Sequence, residues 1–193
     1  MARPKRDEQE RPAKERIEDA FFELLAQMPF EDITIRALAS TAGVNHNLIY
    51  YYYENLQDLA AHALRNVASK ELIATALIAL RAGAFRPDFF LQNRDLMARF
   101  RKLILYARGD SAFLLRLLQD LLKDYWLQQM GRSEDSLSPE ETVDLRFILA
   151  GLCSLLGDEK LLASPATILT IWERDLGIGI FETLAKISEN GSE

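Results

Sequence analysis

The side chains best suited to chemistry in this 193-residue chain lie in one stretch, residues 33–53. That stretch holds three short hydrogen-bonding side chains, Asn45, His46 and Asn47, followed by four consecutive tyrosines at 50–53. Amides suit base edges or phosphates, and phenol hydroxyls donate well to phosphate oxygens. Four successive helical residues point in four directions, so at least two of the tyrosines must lie at the surface. The stretch also contains no acidic residue, which is consistent with a surface that meets a polyanion.

The overall charge argues against nucleic-acid binding, because 29 acidic and 23 basic residues give a formal net charge of −6. The charge is unevenly distributed, however. Residues 1–16 carry six basic and four acidic side chains, and within residues 33–53 Arg36 is the sole formal charge. We expect Arg3, Lys5 and Arg6 to form an arm that contacts DNA; a solvated tail is the alternative. The acidic average therefore does not exclude a local surface for nucleic acid.

Other classes of function have little support in the sequence. There are two histidines, His46 and His62, without metal-ligand spacing, and no phosphate-binding glycine loop or serine nucleophile motif. We expect no enzymatic activity, no metal and no cofactor. The lone Cys153 is predicted to be a small buried hydrophobe. No signal peptide and no apolar segment of about 20 residues is present, which predicts a cytoplasmic protein.

Helical periodicity covers nearly the whole chain, so the predicted fold class is all-α, with about nine helices. Thr34, Asn45 and Ser138 are predicted N-caps, and Asp110 is predicted to cap the helix that follows it. A composition shift predicts a helix-turn-helix domain over residues 1–54 and a helical bundle over residues 55–193. The main helices are expected at residues 11–27, 35–41, 46–52, 56–80, 88–107, 111–130, 139–156 and 165–186.

Residues 34–53 read as a helix, a turn at Ala42-Gly43-Val44 and a second helix. In a helix-turn-helix, the second helix enters the major groove of DNA by its N-terminal end. A helical hairpin with only a structural role is the alternative.

The same residues resemble the DNA-binding module of TetR-type bacterial transcriptional regulators. The resemblance covers about residues 17–64. It rests on the ordered features Phe30-Glu31-Asp32-Ile33-Thr34, Leu38-Ala39, Ala42-Gly43-Val44, Leu48-Ile49-Tyr50, Tyr52-Tyr53 and Leu59.

The resemblance implies a role for each matching residue. Thr34 would cap the first helix of the motif and contact phosphate, and Arg36 would reach a base. Asn45, His46 and Asn47 match the start of the recognition helix. Tyr50 and Tyr52 match the pair that holds phosphates, whereas Tyr51 lies nearer the groove. Leu56 stands where the family usually has a phosphate-binding lysine, which predicts about one unit less of salt dependence per subunit.

The C-terminal half predicts a homodimer and an effector site. Residues 139–156 and 165–186 are apolar on more than one side, so they must pack on two sides, and a four-helix dimer interface satisfies this. We expect a repressor that a small, largely apolar effector releases from a palindromic operator. A DNA-binding protein controlled by a protein partner, or working without a ligand, is the alternative. The candidate pocket residues are Asn93, Met97, Phe100, Ile104, Leu117, Leu121, Tyr125 and Phe147.

Overall fold

The computed structural model describes residues 12–68, 94–162 and 174–189. Within these ranges all the regular structure is helical, which confirms the predicted all-α fold class. Two short 3-10 turns, Phe30–Asp32 and Glu134–Ser136, accompany the α-helices. The helices are α1 (Ala13–Leu25), α2 (Ile35–Ala42), α3 (His46–Tyr52), α4 (Leu56–Val67), α5 (Arg94–Ala107), α6 (Ala112–Gln129), α7 (Pro139–Gly157), α8 (Glu159–Leu162) and α9 (Asp175–Glu189).

The chain divides into two compact units, Met1–Ala63 and Leu64–Glu193. The first unit ends at Ala63, nine residues after the expected domain end at residue 54. Leu59, Ala60 and Ala63 of α4 are fully buried, and the His62 ring lies edge-on to the Tyr53 ring at 5.7 Å. The first eight of the twelve residues of α4 are therefore counted with the three helices that precede it.

In the N-terminal unit α1 packs against α2, and α2 packs against α3. The apolar stripe of α1 supplies Ile17 and Phe21, both fully buried, and the Phe21 ring meets the Phe30 ring edge-on at 6.3 Å. Leu38 of α2 and Ile49 of α3 are buried as well. These contacts bury the inward side of both helices of the predicted motif and leave their polar residues outside.

In the C-terminal unit α5, α6 and α7 pack against one another in pairs. Ser111, not Asp110, caps α6: its hydroxyl accepts from the Leu114 N–H, so the predicted cap is wrong by one residue. Gly157 at the end of α7 lies against the backbone of Ala107 in α5, where an added Cβ would overlap the carbonyl. Cys153 is fully buried, as expected, and this burial raises the pKa of its thiol to about 11.

The loop between α6 and α7 contains an almost completely buried arginine, Arg132, whose side chain is 4% exposed. Both terminal nitrogens donate to the Glu141 carboxylate at 3.0 Å, and one of them also donates to the Ile187 carbonyl at 2.7 Å. The Nε–H donates to the Ser136 hydroxyl, and Nη2 donates to the Ser136 carbonyl. One side chain therefore joins the start of α7 to the end of α9.

Helix α7 carries apolar side chains that lie outside the core of the chain. Leu145, Ile148, Leu149 and Cys153 face inward, whereas Val143 is 65% exposed and Phe147 is 77% exposed. In α9, Leu176 and Ile178 are also exposed, at 60% and 49%.

Within the described residues, no helix is both long enough and apolar enough to span a membrane.

Candidate nucleic-acid interface

The α2–turn–α3 segment is fixed by side-chain caps and one left-handed turn residue. The Thr34 hydroxyl accepts from the Ala37 N–H at 3.1 Å and begins α2. Gly43 then takes φ +61°, a conformation that costs glycine little, and ends the helix. The Asn45 side-chain oxygen accepts from the Asn47 N–H at 2.9 Å and begins α3. Both helices start where their predicted caps stand, and α3 has the predicted bounds.

The tyrosine run divides between surface and core. Tyr50, Tyr51 and Tyr52 are 55%, 78% and 37% exposed, whereas Tyr53 is 2% exposed. Asn45, His46 and Asn47 at the start of α3 are exposed, as are Thr34 and Arg36 at the start of α2. The eight predicted contact residues of the motif are thus all accessible on the two helices. The arm residues Arg3, Lys5 and Arg6 lie outside the described residues.

Tyr53, for which the sequence predicted no contact role, is a structural residue. Its hydroxyl donates to Glu18 Oε1 of α1 at 2.8 Å, and the Lys14 ammonium lies 5.9 Å from the ring centroid. Burial and the Glu18 hydrogen bond raise the pKa of Tyr53 well above its usual range, so the phenol stays protonated. The bond joins the C-terminal end of α3 to α1.

Replacing Tyr53 with phenylalanine tests that connection. We expect Tyr53→Phe to lower the free energy of unfolding by about 1–2 kcal/mol, because the ring stays packed while the hydrogen bond to a carboxylate is lost. Chemical denaturation of Tyr53→Phe, Glu18→Ala and the double variant measures the coupling. If the losses of unfolding free energy in the two single variants add strictly in the double variant, the Tyr53–Glu18 hydrogen bond contributes nothing to stability.

The start of α4 lacks the expected cation and is already occupied by local hydrogen bonds. Leu56 is half-buried, the Asn55 side chain accepts from the Asp58 N–H, and the Asp58 carboxylate accepts from the Glu54 N–H. Two backbone N–H groups around the start of α4, those of Glu54 and Asp58, are therefore used within the chain. Formal positive charge on the described α2–α3 surface comes from Arg36 alone.

The predicted pocket residues of the C-terminal unit are not all in one place. Phe100, Ile104, Leu117 and Leu121 are half-buried and Tyr125 is buried. Among the described residues Phe147 lines no pocket: it lies on the outward side of α7, about 200° around the helix from Leu145 and Leu149. An open recess of about 520 Å³ does include Leu121 and Tyr125, but Asp124, Gln128 and Arg132 make its lining partly polar. Asn93 and the Met97 side chain lie outside the described residues.

A capped helix, a left-handed turn residue and a second helix with a polar outer face define a helix-turn-helix DNA-binding module. Residues 17–63, about a quarter of the chain, match the family model described as "Bacterial regulatory proteins, tetR family". Residues 17–63 are therefore similar to the DNA-binding module of this family, which supports a DNA-binding transcriptional regulator.

A comparison with solved structures gives a distant likeness. A solved structure described as the fatty acid degradation regulator FadR from Bacillus halodurans is 15% identical, with a TM-score of 0.43. The alignment covers 93% of this chain and 96% of that chain. A likeness this distant carries no argument about the function of this protein. A search of curated protein sequences gave no match.

Proposed function

We propose that the protein is a homodimeric repressor that binds a palindromic operator and leaves it when a small, largely apolar effector binds. The observation that carries the DNA-binding part is the outer face of α3, with two exposed amides, an exposed histidine and three exposed tyrosines, and without an acidic residue. A surface of this kind meets phosphates and base edges without repelling the polyanion.

Within that surface the residues have different tasks. Tyr50 and Tyr52 lie on the flanks of α3 and donate to phosphates, and Thr34 at the start of α2 contacts a further phosphate. Arg36 reaches a base edge from α2. Asn45, His46, Asn47 and Tyr51 face the floor of the groove. Phosphate contacts fix the register of the protein on the duplex, and base contacts select the sequence.

Paired substitutions separate these two roles in a retardation assay. We expect Tyr50→Phe and Tyr52→Phe to weaken binding by a similar factor on every duplex, because phosphates carry no sequence information. Arg36→Ala should instead relax the preference at one base pair per half-site, by about ten- to hundredfold. An equal loss on all duplexes for Arg36→Ala would contradict its base-reading role.

The proposed dimer uses the exposed apolar side chains of α7 and α9. Val143 and Phe147 lie one turn apart on α7, and Leu176 and Ile178 add apolar surface from α9. Apolar side chains in such a row mark an interaction surface more often than a solvated one. A two-fold dimer through these helices presents two copies of α3 to successive major grooves of one palindrome.

The proposed effector site lies among α5, α6 and α7 and uses the half-buried Phe100, Ile104, Leu117 and Leu121 together with the buried Tyr125. Effector binding favours a dimer geometry whose recognition helices no longer match successive grooves, with a coupling free energy of roughly 1–3 kcal/mol. Retardation that small apolar compounds relieve supports this mechanism. Retardation that no compound of a broad library relieves favours control by a protein partner.

A further inference from the structure

We propose that Asn47 and Tyr51 read adjacent A·T base pairs in each operator half-site, with Asn47 bound to adenine and Tyr51 packed on a thymine methyl. The inference rests on the proposed operator binding and adds the base preference of the recognition helix. Three observations support it: the position of the two side chains on α3, the availability of the Asn47 amide, and the charge of the helix.

The first observation is geometric. Ile49 is 1% exposed and defines the inward direction of α3. Asn47 and Tyr51, each two residues away, lie about 200° around the helix from it and one turn apart from each other. Asn47 is exposed and Tyr51, at 78%, is the most exposed of the tyrosines. These two side chains therefore extend furthest from the core, between the flanking Tyr50 and Tyr52.

The second observation concerns the two asparagines. Asn45 uses its side-chain oxygen to accept from the Asn47 N–H, so its acceptor is already engaged in beginning α3. The Asn47 side-chain amide has no partner among the described residues, and both its donor and its acceptor are available. One amide donor and one amide acceptor side by side match the N7 acceptor and N6 donor of adenine.

The third observation is that α3 contains no arginine or lysine. The commonest contact to guanine is a bidentate cation on its O6 and N7 acceptors, and α3 cannot make it. Tyr51 brings an exposed aromatic surface one turn from Asn47, and the groove feature that suits apolar contact is the thymine methyl. Within residues 33–53, a bidentate cationic contact to guanine is left to Arg36 on α2.

Base analogues in a selected operator test the assignment on the full chain. A duplex is first selected from a random pool, and each adenine is then replaced by 7-deazaadenine, which lacks the N7 acceptor. We expect one adenine per half-site at which this change weakens wild-type binding about ten- to hundredfold. Asn47→Ala should bind the adenine duplex and the 7-deazaadenine duplex equally. The substitution keeps the backbone N–H of residue 47, which still donates to the Asn45 side chain at the start of α3. Gln57→Ala, an exposed amide on α4, is the matched control and should keep the wild-type response.

Replacing the neighbouring thymine by uracil removes only its methyl group. Wild type and Tyr51→Phe should bind the uracil duplex about fourfold more weakly than the thymine duplex, whereas Tyr51→Ala should bind the two duplexes equally. The proposal is overturned if wild type ignores every 7-deazaadenine, or if Asn47→Ala remains as sensitive as wild type. Failure to select any duplex would instead overturn the proposed operator binding, so the two failures are distinguishable.

Discussion

Arg132→Ala is expected to lower the free energy of unfolding by about 3–5 kcal/mol. The substitution leaves the Glu141 carboxylate, whose side chain is 12% exposed, without the guanidinium that now binds both of its oxygens. It also removes the donors to the Ser136 and Ile187 carbonyls. A buried charge that loses its partner costs far more than a surface ion pair. Thermal or chemical denaturation followed by circular dichroism measures the loss.

The same loop supplies the control. Lys123 and Glu134 form an ion pair at 2.8 Å, and the hydrogen bond from Lys123 lowers the pKa of Glu134, which lies at the surface. Glu134→Gln should leave the unfolding midpoint nearly unchanged, because solvent screens this pair. If Arg132→Ala is no more destabilising than Glu134→Gln, Arg132 does not hold α7 and α9 together.

Phe147→Glu is expected to convert the proposed dimer to a monomer. The ring is 77% exposed in the single chain, so the change spares the core and the helical content should not fall. Within a two-fold interface through α7, the new carboxylate would be buried without a partner and the apolar contact of the ring would be lost. Sedimentation measures the mass. Affinity for a full palindrome should drop about a hundredfold or more, because the two half-sites are no longer bound by one linked molecule.

Ala112→Glu is a suitable control for that variant. Residue 112 is exposed at the first position of α6, where an acidic side chain is well tolerated, and the change adds the same charge away from α7 and α9. It should remain dimeric and bind the palindrome as wild type does. A dimeric Phe147→Glu would exclude the outward face of α7 as the interface.

Local signals in the sequence were sufficient for much of the helix-turn-helix. Thr34 and Asn45 can each accept from a backbone N–H at a helix start, and Gly43 takes a positive φ at little cost, so the chain marks these ends within a few residues. The Ser138 cap at the start of α7 is equally local: Ser138 is the predicted N-cap, and Glu141 completes a capping box with it. Such features need no knowledge of the rest of the fold.

Features that depend on distant partners could not be predicted in the same way. The sequence shows four equivalent tyrosines, and only the packing against α1 makes Tyr53 the buried one, bonded to Glu18, 35 positions away. Helix α7 is apolar nearly all round after residue 146, so its pattern could not show that Phe147 faces outward. The hydrogen bond from Arg132 to the Ile187 carbonyl joins residues 55 positions apart, and the sequence around Arg132 does not predict it.

Selection of bound duplexes from a random-sequence pool tests the central claim most directly. The account predicts enrichment of an inverted repeat whose half-site centres lie about one helical turn apart, roughly 34–36 Å, matching two copies of α3 in a two-fold dimer. Substitutions at Arg36 and Asn47 should change which bases are enriched. No enrichment of any sequence, even at low salt, would contradict the claim that α2 and α3 form a sequence-specific DNA-binding surface.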